Sequence, residues 1–187
     1  MFRNIKILFG ILLGVAILFG FLYFAGLKLL PGVDGNSLNE DVGVSMLDKV
    51  GSVASFFDLP DVNHSRIRLS DFQGKPLIVF FWSTWDSNSS DQVKIFDDFI
   101  KTQSISDGLF VVGIDSQEDF SIGSSFVRRG GYSVPVVVDS SGATTENYGV
   151  KGLPTVFFID RDGVIRDVWS GVLSVRQIVD KAEVILK

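Results

Sequence analysis

The sequence predicts an α/β fold, a central mixed sheet flanked by helices, behind one N-terminal transmembrane helix. Three observations carry this. Residues 7–27, ILFGILLGVAILFGFLYFAGL, contain no charged side chain. From residue 77 onward four apolar runs of strand length recur: LIVFFW, LFVVGID, PVVVD and TVFFID. Segments with helical spacing separate and follow them. Unbroken apolar runs fit strands covered on both faces, which is the habit of a sheet flanked by helices.

At about 1.5 Å of rise per residue, the stretch 7–27 matches a hydrocarbon core of roughly 30 Å. Tyr23 and Phe24 stand where a cleavable signal peptide would need small residues, so a retained signal anchor is expected. Arg3 and Lys6 precede the span, whereas Lys28 alone follows before Asp34, Glu40 and Asp41. The positive-inside bias then makes residues 1–6 a cytoplasmic tip and places the rest outside the cytoplasmic membrane. Gly10 and Gly14 form a G-x-x-x-G pair that could support a weak homodimer.

Residues 28–52 mix Gly, Asn, Ser and acids and read as a tether; the domain is expected over 53–187. Short extended pieces at 55–59 and 67–69 flank the loop DVNHSR, where His64 reads as a solvated imidazole. The strands 77–82, 109–115, 135–139 and 155–160 follow. Between them, residues 91–100 set Val93, Ile95, Phe96 and Ile100 near one side of a helix. Residues 120–129 lead to the helix stop Gly130–Gly131. Asp160 to Gly163, DRDG, marks a hairpin into VIRDVW. Ser174-x-x-Gln177 is a capping box ahead of Val175, Ile178, Val179, Ala182, Ile185 and Leu186 at helical spacing.

Composition removes several chemistries. The 187 residues include no cysteine, so the chain builds no disulfide, thiolate nucleophile or thiolate-ligated metal. His64 is the single histidine, which excludes histidine-pair metal sites. All 22 acidic side chains and 14 of the 17 basic ones fall within 31–187, a net charge of −8 there. Such a surface disfavours nucleic acid and anionic lipid.

LSDFQGKPLIVFFWSTW and SVPVVVDSSGATTENYGVKGLPTVFFIDRDGVI together resemble the membrane-anchored thioredoxin-like proteins of TlpA/ResA type, grouped with redoxins and the alkyl hydroperoxide reductase/thiol-specific antioxidant superfamily. The resemblance spans about 53–187. It implies a thioredoxin-like fold, with Pro154 at the family's cis-proline position. It also implies settings of thiol–disulfide exchange, cytochrome c maturation or antioxidant defence, with an envelope protein as partner. The family's W-C-x-x-C motif here reads Trp85-Asp86-Ser87-Asn88-Ser89. Asp86 stands at the nucleophilic position and Ser89 at the resolving one. Neither exchanges disulfides or reduces peroxide as a thiolate does, so a redox-inactive pseudoenzyme without cofactor or metal is expected.

Three readings of this stretch remain open. Asp86 can cap the following helix, or Ser89-x-x-Gln92 can form a capping box that starts it three residues later. By resemblance, Glu118 matches an acid near the cysteine pair of some members. Asp86 and Glu118 could then face one another as an acid–base or cation-holding pair, the enzymatic alternative. Finally, Trp85, Asp86, Ser87, Asn88, Ser89, Leu153 and Pro154 would line a groove for an extended partner segment, a binding, scaffolding or chaperone-like role.

Overall fold

The computed structural model describes residues 48–102 and 108–187. The expected cytoplasmic tip, the transmembrane helix 7–27, the Gly10/Gly14 pair and most of the tether lie outside the described residues. Among the described residues, no helix is long and apolar enough to cross a membrane.

Five strands form the main sheet: β3 (Leu77–Trp82), β4 (Phe110–Ser116), β5 (Val136–Asp139), β6 (Thr155–Ile159) and β7 (Ile165–Ser170), in the order β5-β4-β3-β6-β7. The β3–β4 and β4–β5 pairs are parallel, whereas β3–β6 and β6–β7 are antiparallel. The sheet is therefore mixed, as its apolar runs and the DRDG hairpin predict. At that hairpin the Asp160 carboxylate accepts from the N–H groups of Asp162 at 3.0 Å and Val164 at 2.9 Å. Gly163 supplies the left-handed residue, with φ 76°.

Every residue of β3 is buried because its two faces meet different cores. Ile78, Phe80 and Trp82 pack with Val93 and Phe96 of α1 (Ser87–Thr102), Val127 of α2 (Phe120–Gly130) and Ile178, Ala182 and Ile185 of α4 (Val175–Leu186). Leu77, Val79 and Phe81 face Phe57, Tyr148 and Val168. This alternation is the two-residue period of a strand. The Phe80 ring stacks on Phe96 with centroids 4.3 Å apart. Gly113 interrupts β4 because a Cβ there would lie 2.5 Å from the Phe80 ring.

α1, α2 and α4 cover one face. The other is closed by residues 54–57, by the hairpin β1 (Asp58–Pro60) with β2 (Arg66–Arg68), and by Tyr148 at the end of the short α3 (Ala143–Asn147). The sequence reading missed α3: ATTEN offers no apolar period, and its start is set by Gly142 and by Asp139, whose carboxylate accepts from Thr145. The end of the expected tether also belongs to the folded unit. Gly51 N–H donates to Ile165 O at 2.8 Å, and Ser52 O accepts from Ile165 N–H at 2.9 Å. His64, read as a solvated loop imidazole, sits at the exposed hairpin tip with its ring stacked on Phe120, centroids 4.4 Å apart.

Candidate functional site

Strand pairing gathers one set of side chains at one end of the sheet. Trp82 pairs with Asp115, and Phe81 with Thr155, so the end of β3, the end of β4 and the start of β6 adjoin. Both α1 and α2 begin there. The carboxyl ends of parallel strands, topped by helix N-termini, are where open α/β sheets bind ligands. A separate cavity lined by Phe56, Phe72, Leu77, Ile159 and Gly163 opens at the opposite end of β3 and β6, away from these groups.

The turn between β3 and α1 is held by its own polar groups. Asp86 Oδ1 accepts from Ser89 N–H at 2.6 Å, and Asp86 O accepts from Ser90 N–H at 3.0 Å, so Asp86 caps α1. The helix therefore begins at Ser87, four residues before the expected 91. The Ser89–Gln92 capping box does not form, because both partners are used in other contacts. Ser89 is fully buried, and its Oγ donates to Ser83 O at 3.0 Å and accepts from Ser83 N–H at 3.1 Å. Gln92 exchanges two hydrogen bonds with the backbone of Leu173, tying α1 to the loop ahead of α4. Replacing Asp86 with alanine should lower stability by about 1 kcal/mol, measured by urea unfolding, with asparagine restoring most of it.

The residues expected to line a groove differ in accessibility. Trp85 is 65% exposed, and Ser87 and Asn88 are also exposed, whereas Asp86 and Leu153 are half-buried. Pro154 is buried behind a cis Leu153–Pro154 bond. Ser89 offers no surface, which corrects its place among groove-lining residues; its small hydroxyl is enclosed by the turn.

The expected Asp86–Glu118 pair is replaced by another. Glu118 accepts from Thr84 N–H at 3.2 Å and from the Thr84 hydroxyl, while Asp86 directs its carboxylate to Ser89. The carboxyl coupled to Glu118 is Asp115, fully buried on β4. As a carboxylate, Asp115 has no donor on either oxygen; as a neutral acid it can donate to Glu118. Burial first, then the negative Glu118 and Asp139, push its pKa up to about 8. The protonated form therefore prevails at neutral pH. Asp115 and Thr84 escaped the sequence reading, although an acid closing the apolar run LFVVGID was a visible signal. Among the described residues, no three His, Cys, Asp or Glu side chains converge as metal ligands.

With neither thiol present, the turn can cap a helix, share a proton between carboxyls and present an indole. Comparison with known proteins agrees with this fold. The thiol-disulfide oxidoreductase ResA of Bacillus subtilis (strain 168) is 32% identical over 130 residues, covering 70% of this chain and 72% of that protein. The crystal structure of StoA from Bacillus subtilis superposes with TM-score 0.61 at 20% identity, over 69% of this chain and 97% of that one. Peroxidoxin BcpB from Mycobacterium tuberculosis gives 0.62 at 27% identity, over 74% and 96%. The model of the AhpC/TSA family matches residues 50–168. With its thioredoxin-like sheet, its ResA relatives and no cysteine in its sequence, the chain belongs to the AhpC/TSA family as a ResA-type domain that carries neither thiol.

Proposed function

We propose that this chain is a membrane-anchored, extracytoplasmic ResA-type domain that performs no thiol redox chemistry and binds an envelope protein, as a scaffold or chaperone-like module in a thiol–disulfide or cytochrome c maturation system. The observation that carries the proposal is Trp85. It is a large aromatic side chain, 65% exposed, on a turn whose Asp86 and Ser89 are committed to internal hydrogen bonds. Exposed indoles on rigid supports are common anchors of protein recognition. The cis Leu153–Pro154 loop lies at the same sheet end, directly ahead of β6, and supplies backbone there for an extended segment. The uncharged stretch 7–27 and the charges around it support the anchor and the outward orientation.

A photo-crosslinking side chain at position 153 of the full chain, in native envelopes, tests this. One dominant protein adduct is expected, weakened roughly tenfold or more by Trp85→Ala, the loss typical of a binding hot spot. Diffuse labelling, or an adduct indifferent to Trp85, refutes the reading.

A further inference from the structure

We propose that Asp115 and Glu118 form a proton-dependent latch that positions the turn of residues 84–86, so that Trp85 is presented in one arrangement while Asp115 is neutral and in another once it ionises. Glu118 is the reaching half. It is only 8% exposed and grips Thr84 at both its N–H and its hydroxyl, across 34 positions of sequence. Trp85 and Asp86 follow directly.

Asp115 is the sensing half. It is fully buried, and two charged groups act on it: Glu118 from the loop ahead of α2, and Asp139 from β5. From α2, Gly123 packs so closely that a Cβ there would lie 1.6 Å from Asp115 Oδ2. From β3, its register partner is the uncharged Trp82. The carboxyl is crowded by α2 and both of those charges are negative. With no donor on either oxygen, its stable form is the neutral acid, and Glu118 is the acceptor assigned to its proton. Removing that proton turns a hydrogen bond into a contact of two carboxylates in a poorly screened site. Glu118 is the partner nearer solvent and the one that can yield, and Thr84 goes with it. Because burial and these two neighbours push Asp115 up to about 8, the change falls within an accessible pH range.

The latch bears on function through the reading of Trp85 as the binding residue. It is measured without any partner, so either idea can fail alone. The full chain is labelled with 5-fluorotryptophan, the Trp85 resonance is assigned with Trp85→Phe, and fluorine spectra are followed from about pH 6 to about pH 10. The Trp85 signal should shift in one transition centred near 8. In Asp115→Asn, which keeps the donor and removes the titration, it should stay at its low-pH position. A Trp85 signal that is silent across the range, or a transition that persists in Asp115→Asn, overturns the proposal. If that variant does not fold, carboxyl carbon spectra of the unmutated chain decide. Asp115 titrating together with Trp85 supports the latch, and Asp115 already ionised at about pH 6 refutes it.

Discussion

Replacing Asp115 with asparagine is expected to stabilise the folded domain at neutral pH, by at most about 4 kcal/mol at pH 7. The bound follows from the ordinary aspartate value of 3.8. Keeping a proton on such a group at pH 7, roughly three units higher, costs about 1.36 kcal/mol per unit. The folded chain holds this proton up to about pH 8, whereas the unfolded chain releases it near 3.8. Between those values the native state binds the extra proton, so stability falls as pH rises through the window and levels off above it. Asparagine has the same shape, can donate an N–H to Glu118, and does not titrate. Urea midpoints of the two proteins should coincide near pH 4 and separate progressively towards pH 8. Parallel curves would show that Asp115 is ionised in the fold. Asp97 does not blur the comparison. Burial raises its pKa, but Lys101 and the N–H groups of Ser133 and Val134 outweigh that and hold it low. Its contribution is lost only in acid, and equally in both proteins.

The double substitution Asp86→Cys with Ser89→Cys should create disulfide exchange where the present chain has none. Position 86 caps a helix of 16 residues, so a thiol there lies at the positive end of the macrodipole beside the Ser89 N–H that the Asp86 carboxylate now holds. Such placement lowers a thiol pKa to roughly 3.5–7.5 and supplies thiolate at neutral pH. Position 89 is one helical turn further on and fully buried, which suits a shielded resolving thiol. Positions three apart on a helix lie about 5–6 Å apart at Cβ, close enough for a bond to form with modest adjustment of the turn. Asp86→Cys alone should react once with a disulfide reagent and stop, and Ser89→Cys alone should be nearly inert. The double variant should turn over insulin disulfides with a recycling reductant. Loss of the Asp86 cap and of the Ser89–Ser83 bonds should lower stability by roughly 1–3 kcal/mol, so folding is checked by circular dichroism. A folded double variant without turnover would mean that the turn no longer has the geometry that thiol exchange needs.

The fold was legible because its signals are local. LIVFFW, VVV and TVFFI are unbroken apolar runs, and each becomes a strand buried along its length by cover on both faces. DRDG and Ser174-x-x-Gln177 act within four residues of chain, and both appear as read, the latter as a capping box. The start of α1 was less legible, because Asp86 and Ser89 are both good caps. What chose between them was Ser83, which claims the Ser89 hydroxyl, and Leu173, 81 positions from Gln92, which claims the Gln92 side chain.

The candidate site shows the same division. The residues alone determined that this protein carries no thiol chemistry, and that an aspartate and a serine stand where a resembling family has its cysteines, since composition needs no coordinates. They also determined the sheet and the helices α1, α2 and α4, through periodicities that act over a few residues. Only the tertiary structure decided which carboxyls meet. Asp115 lies near the end of β4, behind an apolar run, and its partner is Glu118 rather than Asp86. That choice depends on the parallel register of β3 with β4, the close seat of Gly123, and the reach of Glu118 to Thr84. The physical reason is range. Secondary structure is written in nearest-neighbour preferences, whereas the pKa of a buried acid is set by whichever charges and helices the fold brings against it.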